Sequence, residues 1–368
     1  MHSSLIQLEC QCNNYPWGKK GKESLVARFA AVTPGGHFKL DESKYYAEFG
    51  CALVCDLNRQ DLQEYLKANR EALIGNSILA KFGADLPFSL KILSVAEALR
   101  LQIHPDKDLA AKLYERNPEK YDDANHKPEI APLPRVQTLF TDVPVLKSSF
   151  VPKDARAHFT PESLKTIVSK ILMSSDEENV DVYKKLRAMK ASEFGKGEEH
   201  IAELLPRLAE QYDKSGPGIL IAVLAPNFMV MEKGESNYVP ADGIHAYMSG
   251  DIVECMARSH NFLNTELFTA TLTLSSGSTD EVLLKSKSSL KEIQVYTQVL
   301  APPLSEFNVL VTDLQAGEET TAALNGLAIL IGRQTEVNEG YVFFVGYDTE
   351  LELVSENRFE TYIAYAEA

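Results

Sequence analysis

Phe88-Ser89-Leu90-Lys91-Ile92-Leu93-Ser94-Val95, running on into Leu99-Arg100-Leu101-Gln102-Ile103-His104-Pro105, alternates apolar and polar side chains with a period of two. Successive side chains on extended backbone point to opposite sides, so this period predicts a strand, here one that ends at Pro105 and lines up Arg100, Gln102 and His104 on one face. Upstream, from Leu5 to about Pro87, short apolar runs are separated by turn signals such as Pro34-Gly35-Gly36, with one helical stretch from Leu62 to Leu73. Downstream the period becomes helical. Thr160 is placed to cap a helix whose first residue is Pro161, and Leu164, Ile167, Val168, Ile171 and Leu172 recur at offsets of three and four. Ile201, Leu204, Leu205, Leu208 and Tyr212 repeat that spacing, with Pro206 read as a kink or boundary. After Ser215-Gly216-Pro217-Gly218 strands are expected again at Ile219 to Leu224, Phe228 to Met231, Ser236 to Val239 and from Tyr247 onward. Beyond Leu300-Ala301-Pro302-Pro303, the runs Phe307 to Leu314, Leu327 to Ile331, Tyr341 to Val345 and Phe359 to Ala364 read as a second, smaller β unit.

A chain of 368 residues exceeds what one hydrophobic core organises, so two or three packed units are expected. Its 45% hydrophobic and 24% charged residues are those of a globular protein. A formal net charge of −15 argues against a surface for nucleic acid, which needs a contiguous field of Lys and Arg. A few basic side chains in a cleft can still attract a small anion. The cysteines, Cys10, Cys12, Cys51, Cys55 and Cys255, lack the spacing of a disulfide scaffold or a four-thiolate zinc site, so free thiols in a reducing compartment are expected. The start Met1-His2-Ser3-Ser4-Leu5-Ile6 has no basic stretch leading into an apolar one, and Ile219 to Ala225 is too short to span a bilayer; a cytoplasmic protein with no membrane partner is expected.

Three segments could carry chemistry. Gln102 and His104 place an amide and an imidazole side by side on the expected strand. Tyr121-Asp122-Asp123-Ala124-Asn125-His126-Lys127-Pro128-Glu129 crowds carboxylates, an imidazole and an amine ahead of and around a proline. Asp242-Gly243-Ile244-His245-Ala246-Tyr247 sets a histidine after a turn glycine. Each alone reads more readily as ordinary polar surface or a structural histidine than as a ligand. Together they supply an amide oxygen, two imidazoles and a carboxylate, a mixed set suited to a divalent ion such as zinc, and the absence of thiolate favours a catalytic over a structural site.

The run Tyr121 to Glu129 resembles the type I phosphomannose isomerase signature Y-x-D-x-N-H-K-P-E at every defined position. His245-Ala246-Tyr247-Met248 with Gly250, Val253, Glu254, Met256, Ala257 and Ser259 resembles the first half of that family's second signature. Asn13-Asn14-Tyr15-Pro16-Trp17-Gly18, Tyr46-Ala47-Glu48 and Gln102-Ile103-His104-Pro105 are similar to family segments too, so the likeness covers most of the chain. It implies one Zn2+ per chain on Gln102, His104, Glu129 and His245, and a mainly β fold with a helical insert. A cupin-like jelly-roll catalytic domain (1–150 and 216–285) would be interrupted by a helical domain (151–215) and followed by a second, smaller cupin-like β domain (286–368). The implied activity is the interconversion of mannose 6-phosphate and fructose 6-phosphate through an enediol, within carbohydrate metabolism leading to GDP-mannose. Lys127 and Glu48 are the candidates for polar work beside the metal, and the substrate is a small sugar phosphate bound by a monomer.

The likeness breaks after Ser259. The second signature continues D-N-x-[LIVM]-R-A-G-x-T-P-K, whereas the chain has His260 for the Asp, Asn264 for the active-site Arg, Glu266 for the Gly and Ala270 for the Lys. Phosphate binding loses charge-assisted donors by these changes. Arg100, where the family has Ser, is the candidate replacement, with Lys91 and Arg258 as further substrate-binding candidates. A W-x-G-x-H segment expected after Tyr46-Ala47-Glu48-Phe49 is absent, and the stretch after Ile130 is short and rich in proline. A relative that keeps metal and sugar binding but is impaired or repurposed is therefore the alternative.

Overall fold

The computed structural model describes residues 4–34, 37–54, 60–119, 121, 123–126, 143–151, 161–226, 228–239, 243–259, 263–264, 287–288, 297–304, 306–324, 326, 328–333 and 340–367. The chain divides into two compact units, the first made of Met1–Glu97, Met248–Arg258 and Leu284–Ala368, the second of Ala98–Tyr247 and Ser259–Leu283.

The first unit is built on an antiparallel sheet of eleven strands. Its order is Lys287–Ser288, Thr297–Leu300, Asn308–Leu314, Phe359–Tyr365, Ala328–Arg333, Val342–Val345, Leu5–Asn13, Glu48–Val54, Phe88–Val95 and Gly250–Ala257, with Gln60–Asp61 paired beside Glu48–Val54. The C-terminal strands expected from the sequence are all present, and they are hydrogen-bonded into the same sheet as the N-terminal ones, since Leu5–Leu8 pairs with Val342–Val345 in the register Leu5↔Val345 to Leu8↔Val342. They also keep a hydrophobic cluster of their own, in which Leu310, Leu314, Leu330, Phe359 and Ile363 pack with Leu351 and Leu353 of the ribbon Glu319–Leu324 and Thr349–Val354. A second cluster joins Leu8, Phe49, Ile92 and Phe344 of the sheet to Phe29, Leu66 and Leu73 of the helices Leu25–Val32, Leu62–Ala68 and Arg70–Leu73. Burial of each such side chain contributes roughly 1.5–3 kcal/mol against the entropy of ordering it. Ser24 seats the first of these helices: its Oγ accepts from Ala27 N–H at 3.1 Å and donates to the Tyr46 carbonyl at 3.0 Å.

Cys12 and Cys255 are free, but Cys10 is disulfide-bonded, against the expectation of free thiols throughout. The register sets Cys51 directly opposite Cys10 on the neighbouring strand. Spacing along the sequence could not reveal this, because the two meet only through strand pairing.

The strand that opened the sequence reading is shorter than its period suggests. It ends at Val95, where Ala96 and Glu97 N–H turn aside to the Trp17 carbonyl at 2.9 and 3.2 Å. A separate two-residue strand, Gln102–Ile103, belongs to the second unit. Arg100 lies outside both strands and is exposed, so strand alternation does not set its direction.

The second unit is largely helical, with Lys107–Arg116, Pro144–Ser149, Pro161–Met173, Asp176–Arg187, Ile201–Gln211 and Pro217–Leu224. Pro161 begins its helix as expected, while its proposed cap Thr160 lies outside the described residues. Pro206 is not a boundary, for the helix continues past it to Gln211. The expected strand Ile219 to Leu224 is a helix, opened by Pro217 after Gly216. A short run that is apolar at every position carries no period to separate strand from buried helix. Here Ile219, Leu220, Ile221, Val223 and Leu224 are all buried because the helix packs among Pro161–Met173, Asp176–Arg187 and Ile201–Gln211. Phe228 to Met231 and the described residues Ser236 to Val239 form no strand, and the one expected from Tyr247 starts at Gly250.

Candidate metal site

Within the second unit, Gln102 is the centre of a short row of paired backbone. On one side its N–H donates to the His245 carbonyl at 3.0 Å and its carbonyl accepts from His245 N–H at 3.0 Å. On the other side Gln102 and Ile103 pair with Asn264 and Leu263, in the register Gln102↔Asn264. Directly opposed residues of antiparallel backbone have Cα atoms about 4.5–5.5 Å apart. His245, Gln102 and the position of Asn264 are therefore neighbours, although Gln102 lies well over a hundred residues before the other two in the chain. Leu99 N–H extends the same seam to the Tyr247 carbonyl at 2.8 Å.

His104 is fully buried and His245 is 4% exposed, and their ring centroids are 5.1 Å apart with planes at 42°. Two imidazoles bound through nitrogen at about 2.0–2.1 Å to one tetrahedral zinc place their ring centres roughly 5 Å apart, so the pair fits a shared ion. His245 Nδ1 lies 3.1 Å from the Gly243 carbonyl. A carbonyl can only accept, so the proton sits on Nδ1 and the lone pair on Nε2, the arrangement of a metal-binding imidazole held by a second hydrogen bond. Tyr247 meets the His245 ring edge-on at 6.0 Å. Gln102, half-buried, is the third candidate donor.

Glu129 and Lys127 lie outside the described residues, as does the side chain of Asn264. Among the described residues no group of three or more His, Cys, Asp and Glu gathers, as it must be when the described donors are two imidazoles and an amide. The run ahead of Glu129 is described at Asp123 to His126. Asp123 Oδ1 accepts from Asn125 N–H at 2.8 Å and from Ser259 Oγ at 2.9 Å, a link between the two signature segments that reading the sequence did not suggest.

The other candidates belong to the first unit. Glu48 accepts from Asn13 Nδ2 at 3.1 Å and is ion-paired with Lys91 at 3.7 Å. Arg258 pairs with Asp85 at 3.5 Å, and its N–H donates to the Pro87 carbonyl at 2.9 Å. Burial pushes the Asp85 carboxyl up, but the Gln63 amide together with Arg258 and Lys67 outweighs it and holds the group below its ordinary value.

The fold and the donors define a mainly β, cupin-like protein with a buried imidazole pair and an amide suited to a divalent ion. Residues 5–140 match the family model of the phosphomannose isomerase type I catalytic domain. The mannose-6-phosphate isomerase of Aspergillus fumigatus is 30% identical over 444 aligned positions, which take in 99% of this chain and 96% of that protein. A mannose-6-phosphate isomerase of Arabidopsis thaliana is 30% identical over 98% of this chain and 93% of its own. Two solved structures share the fold at 20% identity: a zinc-bound mannose 6-phosphate isomerase, with a TM-score of 0.77 over all of both chains, and a variant of the Salmonella typhimurium phosphomannose isomerase, with a TM-score of 0.78 over all of both. The chain belongs to the mannose-6-phosphate isomerase family, type I. Because 444 aligned positions exceed its 368 residues, the Aspergillus protein carries segments that this chain does not.

Proposed function

We propose that this chain is a zinc-dependent isomerase that interconverts mannose 6-phosphate and fructose 6-phosphate. The observation that carries the reading is the buried His104–His245 pair beside Gln102, in a chain that aligns with isomerases of that name along its whole length. Gln102, His104 and His245, completed by Glu129, would hold the ion. When bound, zinc supplies Lewis acidity toward the negative charge that develops on the substrate oxygens. The reaction moves a proton between C2 and C1 through an enediol and changes neither atoms nor oxidation level overall, so no oxidant or reductant is required. Lys127, two residues before Glu129, is the first candidate to handle that proton, and Glu48 the second.

Phosphate needs cationic donors, and the position where the family has an arginine is Asn264 here. Arg100 stands two residues before Gln102 in the chain and is our candidate for that charge, with Lys91 and Arg258 behind it because each already has a carboxylate partner. We further propose a monomer in the cytoplasm with no nucleic-acid partner, in keeping with the net charge of −15. Among the described residues no helix is long and apolar enough to cross a membrane.

The test is a coupled assay with mannose 6-phosphate on protein as purified, after chelation, and after zinc is restored, with Arg100→Ser in parallel. Turnover that disappears and returns with zinc supports the reading, as does a KM raised in Arg100→Ser. Zinc retained without turnover on any hexose phosphate would instead identify a binding relative.

A further inference from the structure

Ser259 is nearly inaccessible, at 6% exposure, and its hydroxyl faces two acceptors on one turn: Asp123 Oδ1 at 2.9 Å and the Asn125 carbonyl at 3.1 Å. The same Asp123 oxygen accepts from Asn125 N–H at 2.8 Å, which closes the turn on itself. A hydroxyl has one proton, so the two acceptors share it, and the carboxylate is the stronger of them. The turn leads directly into His126, Lys127, Pro128 and Glu129. Ser259 in turn leads into Leu263–Asn264, whose backbone pairs with Gln102 and Ile103. One hydroxyl thus connects the segment that carries Glu129 to the seam that carries Gln102 and His245, across more than a hundred residues of sequence.

We propose that Asp123 and Ser259 are a positioning pair that fixes where the Glu129 segment begins and so sets the affinity of the site for its ion. The inference rests on the zinc reading above. Asp123 closes the turn locally, and Ser259 anchors the closed turn to the rest of the unit. Without the anchor the turn keeps its shape but not its place, and the start of the segment that leads to Glu129 is no longer held. Partners of this kind, which orient ligands without touching the ion, are worth 10–100-fold in metal affinity.

The experiment is zinc affinity of the purified full chain, measured by competition with a chromophoric chelator, together with the visible absorption of the cobalt-loaded protein. Ser259→Ala should weaken zinc by about tenfold and alter the cobalt bands, and Ser259→Thr, which keeps the hydroxyl, should restore both. Asp123→Ala should cost at least as much, and the double variant less than the sum of the two single losses, because the bond that the two residues share can be lost only once. Parent affinity in Ser259→Ala, failure of Ser259→Thr to restore it, or additive losses in the double variant would each overturn the proposal. If the parent itself binds no zinc, the metal reading has failed, which is a different result from intact parental binding that the variants leave unchanged. Should Ser259→Ala lose its cooperative melt, Asp123→Asn stands in for it: it keeps the acceptor but not the charge, and weaker zinc binding supports the pair while parental binding refutes it.

Discussion

Withdrawal of zinc should lower the melting temperature by an amount set by mass action. A ligand at a hundred times its dissociation constant stabilises the folded state by about 2.7 kcal/mol. Unfolding entropy near 2 cal/mol/K per residue gives a 368-residue chain roughly 0.8 kcal/mol/K, so the shift is about 3–4 °C if the chain melts as one. It is roughly twice that if the second unit melts alone, since that unit holds about half the residues. Each further decade of free zinc adds about 1.4 kcal/mol, or nearly 2 °C. His245→Ala removes one imidazole of the buried pair and should abolish this slope, while lowering the metal-free melt because a buried side chain is truncated. The assay is differential scanning fluorimetry in buffers of fixed free zinc, run on both proteins. The reasoning is refuted by a parent melt that stays constant over four decades of zinc, or by a His245→Ala melt that follows zinc as the parent does.

Three other outcomes are expected. Gly18→Ala should destabilise by about 1–3 kcal/mol in urea titrations, because a β-carbon there would lie 2.5 Å from the Tyr46 carbonyl oxygen and 2.8 Å from Ala47 N, both main-chain atoms with no room to yield. Burial lowers the His200 pKa below its ordinary value despite the Gly197 carbonyl and Glu199, so the unfolded chain takes up a proton first and the residue's contribution to stability is lost as pH falls below about 6.5; His200→Gln should flatten that limb of the melting-temperature profile. Denatured but unreduced protein should alkylate at three of its five cysteines, since Cys10 and its partner are blocked, and in the native state Cys12 should react slowly even at pH 8 because burial pushes its thiol up to about 12.

Legibility followed the range over which each feature is encoded. The strand Asn308–Leu314 and the helices Pro161–Met173 and Ile201–Gln211 carry their period within a few residues and lie within a few positions of where the sequence sets them, whereas Phe88–Val95 starts as expected and stops well short of Pro105. Pro217–Leu224 was misread because its eight residues are apolar or small throughout, and burial in a helical packet is a property of its neighbours. Arg100 was misplaced on a strand because the alternation continues past Val95, while the hydrogen bonds of Ala96 and Glu97 to Trp17 end the pairing. The donors proposed for the metal are legible only through their likeness to two signatures, for no local period relates Gln102 to His245. The Ser259 link to Asp123 is hidden for the same reason: both residues match the signatures, but nothing in either segment says that they touch.

The seam that gathers the donors is too short to hold itself. Two-residue strands have little stability alone, and among the described residues Gln102–Ile103 pairs with Leu263–Asn264 and through an isolated bridge with His245. What fixes the seam must therefore come from burial of the side chains it carries. Ile103 and Ile244 are buried on apolar contacts, whereas His104 and His245 bury polar rings that burial alone would disfavour. A divalent ion shared by the two imidazoles, as proposed, would turn that cost into a bond and would join segments that backbone pairing leaves weakly connected. The metal would then be part of what folds the second unit as well as part of its chemistry, and zinc affinity and local stability should rise and fall together in every variant of the proposed donors.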